Sequence, residues 1–152
     1  MNTHKTREDK NITIVLEILK DQAEGNVENA LQKMTPDYLM TWVEKRGEEL
    51  FPHTGTDFAD EMRKLYRTYD YRFDVKNITG ADDAVMVELI ETVADKKTGK
   101  TWCTPLVLVF EMEDGRVKTG RHYLDPTLSR QELLLEEIEK AFPRTSTKMI
   151  IG

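Results

Sequence analysis

The chain has 152 residues, 39% hydrophobic and 33% charged, with a formal net charge of −6. That length suits one domain with an ordinary core, and the composition argues against a disordered chain. No Lys/Arg-rich patch offers the phosphate-neutralising surface that nucleic acids need, and the longest apolar runs, such as 105–110, are far too short to span a bilayer.

Residues 1–11 are polar and hold no apolar signal segment. Ile12, Val15, Leu16 and Leu19 fall at helical spacing and predict a first helix from about Thr6 to Glu24, ended by Gly25-Asn26. A shorter helix through Val27, Ala30, Leu31 and Met34 stops before Pro36, since the residue preceding a proline is pushed out of the helical region. Residues 37–43, DYLMTWV, alternate in face and read as a strand. A polar loop leads to a third helix, capped by Thr56 or Asp57, with Phe58, Met62, Leu65 and Tyr66 on one face.

From Tyr69 the period changes to two. Strands are predicted over 69–78, 83–95, 101–113 and 116–125. Their connections are hairpin-length, Asp114-Gly115 the clearest, so the strands form an antiparallel meander. A last helix over 129–142 is capped near Ser129, with Pro143 beyond it and a tail over 143–152. With no repeat and no linker, residues 1–152 are read as a single domain. Helices first and a sheet later predict an α+β fold: a curved antiparallel sheet wrapped around N-terminal helices, leaving a cone-shaped pocket.

Alternation assigns faces. Val85, Val87, Leu89, Glu91 and Val93 form one set, apolar except for Glu91, and are taken as the inner face. On the next strand Trp102, Thr104, Leu106, Leu108, Phe110 and Met112 share one face, and Cys103, Pro105, Val107 and Val109 the other. Both faces are apolar, so the outer one needs a cover: a second subunit, giving a homodimer through the sheet, or the C-terminal helix folded back. On the last strand Lys118, Gly120, His122 and Leu124 form one set and Val117, Thr119, Arg121 and Tyr123 the other, and periodicity alone does not say which set faces inward.

The closing run DGRVKTGRHYLDP and the element order resemble the SnoaL-like group of the nuclear transport factor 2-like superfamily. The matching residues are Asp114, Gly115, Arg116, Val117, Tyr123 and Asp125, with residues 25–43 as second helix and first strand and 55–66 as third helix, about 10–130 in all. The resemblance implies a cone-shaped pocket and frequent homodimers. It also implies either ligand binding or cofactor-free acid–base chemistry on apolar small molecules, as in ketosteroid isomerase, scytalone dehydratase, limonene epoxide hydrolase and polyketide cyclases. The catalytic groups of ketosteroid isomerase do not carry over: Trp42 stands where that enzyme has its base, and Val107 or Leu108 at its oxyanion-hole position. On the last strand the resemblance turns Gly120, His122 and Leu124 toward the pocket.

Three residues are the catalytic candidates. A neutral His122 exchanges protons near neutrality, or else is a histidine bonded within the sheet. Glu91, aligned with Val85, Val87 and Leu89, is an acid with a raised pKa or a solvated strand end. Asp125 either orients His122 or caps the turn at Pro126. The ligand-lining candidates are Tyr38, Met40, Trp42, His53, Leu89, Trp102, Leu106, Leu108, Gly120 and Leu124, for most of which core packing is the plain alternative. The histidines lack metal-ligand spacing, and there is no phosphate loop or nucleophile elbow, so no metal or cofactor is expected. The single cysteine, Cys103, precludes an internal disulfide, and a cytoplasmic protein is the expectation. The resulting expectation is a small-molecule-binding protein for an apolar carbonyl compound, with isomerase, cyclase or dehydratase chemistry, or a non-catalytic ligand-binding or interaction module.

Overall fold

The computed structural model describes residues 5–54 and 58–152. Helix α1 (Arg7–Ala23) begins where Thr6 accepts from the Asp9 N–H and the Asp9 carboxylate answers with the Thr6 N–H, a capping box that satisfies two orphan donors. It ends at Gly25, whose φ of 75° suits glycine. Helix α2 (Val27–Gln32) follows, and Lys33 behind it pairs with Asp21 of α1 at 2.6 Å. Strand β1 (Met34–Trp42) starts earlier than residue 37 and tolerates Pro36 because its register with the neighbouring strand is interrupted between Met34 and Leu39.

The loop expected after it contains a small hairpin, β2 (Lys45–Arg46) with β3 (Glu49–Leu50). Helix α3 (Phe58–Thr68) buries Met62; the proposed caps Thr56 and Asp57 lie outside the described residues. Four long strands follow as expected: β4 (Tyr69–Gly80), β5 (Ala84–Asp95), β6 (Thr101–Glu113) and β7 (Arg116–Leu124). Asp114 and Gly115 both take positive φ, 50° and 76°, which is what a two-residue hairpin turn requires.

With a short last strand, β8 (Met149–Ile151), the sheet order is β1-β7-β6-β5-β4-β8, antiparallel throughout except that β1 joins β7 in parallel. Val15, Ile18 and Leu19 of α1 pack on Phe73, Val85, Val87, Leu89, Leu108 and Phe110, so the core lies between the helices and the inner face of the curved sheet. Two bulges interrupt the ladders, at Lys76 in β4 and at Lys118 in β7. The second corrects the alternation: Val117 pairs with Met112 and is buried in the core, on the same side as Gly120 and His122. A bulge adds one residue, so odd and even positions exchange faces across it.

The C-terminal segment departs most from expectation. Instead of one helix over 129–142 there are two short ones, α4 (Pro126–Arg130) and α5 (Leu135–Glu139), and Glu132 between them has a φ of 53°. The cap of α4 is Asp125, which accepts from the Thr127 N–H at 2.8 Å; Ser129 lies inside the helix. The break has a tertiary cause. Strand β6 runs on past the end of β7, so the Cys103 N–H would be left bare, and it donates to the Leu133 carbonyl at 2.8 Å. Ile138, Leu133, Leu135 and Phe142 then pack on Ile90 and Cys103. The C-terminal segment therefore covers the Cys103 end of the outer face, while Pro105, Val107 and Val109 remain half-buried.

Lys76, fully buried, fixes this cover. Its Nζ donates to both carboxylate oxygens of Glu139, at 2.8 and 2.6 Å, and lies 4.9 Å from the Phe142 ring. The tail beyond residue 143 forms β8 (Met149–Ile151), paired with Phe73–Val75 of β4, a strand too short for periodicity to announce.

Candidate functional site

Between the inner face of the sheet and the helices lies a cavity of about 350 Å³. Strand alternation and α3 supply its walls: Trp42 from β1, Phe58, Met62 and Tyr66 from α3, Tyr71 and Phe73 from β4, Glu91 from β5, Trp102, Thr104, Leu106 and Leu108 from β6, His122 and Leu124 from β7. A more open hollow of about 870 Å³ lies toward Thr35, Asp37, Leu39 and His53, but it holds neither of the buried titratable groups described next.

Glu91 faces Phe73 on one side and Thr104 on the other. It is half-buried on the cavity wall, and burial alone raises its pKa to about 7. Tyr66 and Tyr71 stand beside it, ring centroids 4.8 Å apart. Burial raises both hydroxyls well above the ordinary tyrosine range, and in each case the Glu91 carboxylate adds to that, so both stay protonated.

His122 lies in a different row, opposite Leu108 on β6 and Trp42 on β1. Its ring meets Trp42 edge-on at 5.9 Å, and the Arg46 guanidinium lies 4.7 Å over the same tryptophan. Burial, and then the positive charge of Arg46, lower the imidazole pKa to about 4, so His122 is neutral at physiological pH. Arg46 itself is held by Glu44, whose side chain is nearly buried.

Glu91 and His122 do not touch. The row of Thr104 and the row of Leu108 are four residues apart on β6, and β5 and β7 are two strands apart. On a flat sheet this puts the two Cα atoms roughly 16 Å from each other. Curvature tilts the side chains inward, so they form two polar poles in one apolar chamber.

Of the residues singled out from the sequence, His122, Glu91, Tyr38, Met40, Trp42, Trp102, Leu106, Leu108 and Leu124 line this cavity. Four do not. Leu89 is fully buried in the core behind the wall. A Cβ on Gly120 would collide with the Tyr38 hydroxyl and the Met40 methyl, so its space is already filled. His53 bridges the free edge of β1 at Thr41 and is exposed. Asp125 caps α4, and standing three residues on from His122 it is aimed elsewhere, so it does not orient the imidazole.

Sequence reasoning missed Tyr71, Glu44, Arg46, Ser129 and Arg130, and placed Thr104 in the row of Trp102 and Leu106 without singling it out. Period-two alignment of Tyr71 with Phe73 was a usable signal; Glu44 and Arg46 depend on a hairpin that no local pattern announces. Among the described residues no group of three or more His, Cys, Asp and Glu side chains is placed to hold a metal ion.

The model of the SnoaL-like domain matches residues 15–119, more than half of the chain. This chain belongs to the SnoaL-like domain family. Curated proteins gave no significant match to it. Solved structures resemble the SnoaL-like domain closely in shape and distantly in sequence. An LEH-like epoxide hydrolase from M. tuberculosis is 17% identical with a TM-score of 0.69, covering 91% of this chain and 99% of its own. A phenazine biosynthesis-related protein from Pseudomonas aeruginosa is 14% identical with a TM-score of 0.64, covering 82% and 84%. A SnoaL-like protein from Jannaschia sp. CCS1, proposed to be a polyketide cyclase, is 20% identical with a TM-score of 0.62, covering 87% and 96%. At these identities the likeness establishes the fold, not a shared reaction.

Proposed function

We propose that this SnoaL-like domain binds a small, mostly apolar carbonyl compound in the cavity and moves a proton on it without a cofactor. The observation that carries the reading is Glu91: a carboxyl in an apolar chamber, titrating near 7, with two protonated tyrosine hydroxyls beside it. A carboxylate poised near neutrality takes a proton from carbon next to a carbonyl and returns it elsewhere. Tyr66 or Tyr71 donates to the oxygen where negative charge develops. His122 has a different part from the base expected of it. A pKa of about 4 makes it a weak base, and as a neutral imidazole at the far pole it hydrogen-bonds a second polar group of the ligand.

The test is exchange of the α-hydrogens of tetralone with deuterated solvent, followed by NMR. Glu91→Gln is expected to slow exchange by about 10²- to 10⁴-fold while tetralone binding is kept. Exchange at the wild-type rate in this variant would remove the acid–base role. The separation of Glu91 from His122 favours a second reading, in which the chamber only binds its ligand. Tetralone binding with no exchange above the buffer rate would support that reading.

We further infer a homodimer through the strip of outer face that α5 leaves open, Pro105, Val107 and Val109 together with the exposed Tyr123 and Met86. Sedimentation of a 17.7 kDa species at micromolar concentration would refute it. No helix among the described residues is long and apolar enough to cross a membrane. With its only cysteine buried and unpaired, we place the protein in a reducing cytoplasm.

A further inference from the structure

The charged side chains on the cavity wall differ in whether they are already engaged. The charged side chains lining it are Glu44, Arg46, Glu91 and Arg130. Glu44 and Arg46 form an ion pair, and the Arg46 guanidinium is also stacked on Trp42, so both are engaged. Glu91 stands on the same wall, its pKa raised by burial. Arg130 is exposed at the cavity rim and pairs with no carboxylate among the described residues.

Its position follows from the chain path. Strand β7 ends at Leu124, level with Leu106. Helix α4 starts at Pro126 under its Asp125 cap, and Arg130 at its close lines the same cavity as Glu91 and Thr104. That cavity is walled by rings: Tyr71 stacks on Phe73 at 6.3 Å, Tyr66 leans on Tyr71, and Trp102 is contributed by β6. Flat rings offer faces to another flat ring, and an unpaired guanidinium offers two parallel donors to a carboxylate.

We propose that the cavity takes a planar aromatic carboxylic acid, its ring against Tyr71, Phe73 and Trp102 and its carboxylate on Arg130. The inference rests on the reading of the cavity as a ligand site and adds the class of ligand.

The test compares naphthoate with naphthalene methanol, alike in shape and differing in charge, by isothermal titration calorimetry on the wild-type protein and on Arg130→Gln. Naphthoate is expected to bind wild type at least about tenfold more tightly than the alcohol, as a charge-assisted hydrogen bond provides. Arg130→Gln is expected to bring the two within about twofold by weakening naphthoate alone, its fold checked by an unchanged melting profile. Equal binding of acid and alcohol to wild type, or an advantage of the acid that survives Arg130→Gln, overturns the acid assignment and leaves the ligand site standing. Failure of both compounds to bind wild type overturns the assignment and counts against the ligand site as well.

Discussion

Two buried ionisable groups on neighbouring strands of one sheet have opposite surroundings. Lys76 of β4 points to the outer face and is fully paired, with Glu139 at 2.6 and 2.8 Å and the Thr145 carbonyl at 3.4 Å. Glu91 of β5 points to the inner face, and its pKa is moved by burial alone, with no hydrogen bond or opposite charge to offset it. A buried charge that carries its partners with it is architecture. A buried acid facing a cavity without partners is a place where the fold gives up stability that a ligand can return.

The largest effect is expected on the paired side. Glu139→Ala leaves the buried Lys76 ammonium without its carboxylate, with only the Thr145 carbonyl and the Phe142 ring near it, and should cost about 3 kcal/mol in urea unfolding, the lower end of the usual range because the Glu139 side chain is 36% exposed. Replacing both, Lys76→Met with Glu139→Leu, should recover most of that loss. A Glu139→Ala protein as stable as wild type would show that the pair holds nothing.

A somewhat smaller effect, of the opposite sign, belongs to the cavity. The Glu91 pKa is raised from 4.5 to about 7, so its contribution to stability is complete below about 4.5 and is lost as pH rises through 7. The His122 pKa is lowered from 6.5 to about 4, so its contribution is complete above 6.5 and is lost as pH falls through 4. Between 4.5 and 6.5 the two slopes cancel, and wild-type stability should be flat there. Each single variant uncovers the other slope. Glu91→Gln should gain stability steadily as pH rises from 4 to 6.5 and be more stable than wild type at high pH by roughly 2–3 kcal/mol. His122→Gln should lose stability from 4.5 to 7. Chemical denaturation across this range decides the matter: flat profiles in both variants would mean that neither group is buried as described.

The smallest effect separates the cap from the chamber. Asp125→Ala removes the acceptor for the Thr127 N–H and should cost about 1 kcal/mol, with tetralone exchange unchanged. A fall in exchange at constant stability would return Asp125 to the candidate site.

How far the sequence led depends on whether a feature is local. The strands from Tyr69 to Leu124 were legible because alternation and the Asp114-Gly115 turn are written within a few residues. The same alternation picked Glu91 out of an apolar row. What was not legible needs partners distant in the chain. The helical pattern over 129–142 is real, yet the bare Cys103 N–H at the end of β6 wins the Leu133 carbonyl and breaks it. Tyr66 meets Tyr71 only after α3 turns back onto β4, and Arg46 reaches Trp42 only through the β2–β3 hairpin. Val117 faced the wrong way on paper because a bulge changes the count without leaving a mark in composition.

The two bulges also bear on how such a chain changes length over generations. Membership of the inner face is a matter of parity: on β4 it follows odd numbers through Phe73 and Val75 and even ones from Ile78, and on β7 it passes from Val117 to Gly120, His122 and Leu124. Within a regular stretch, loss of one residue would turn every side chain on one side of it from chamber to exterior. At Lys76 or Lys118 the surplus residue absorbs such a loss, and the pairing of His122 with Leu108 or of Ile78 with Val87 stays as it is. A single-residue length change in this sheet therefore keeps the facing of the flanking side chains only at a position that already stands out of register.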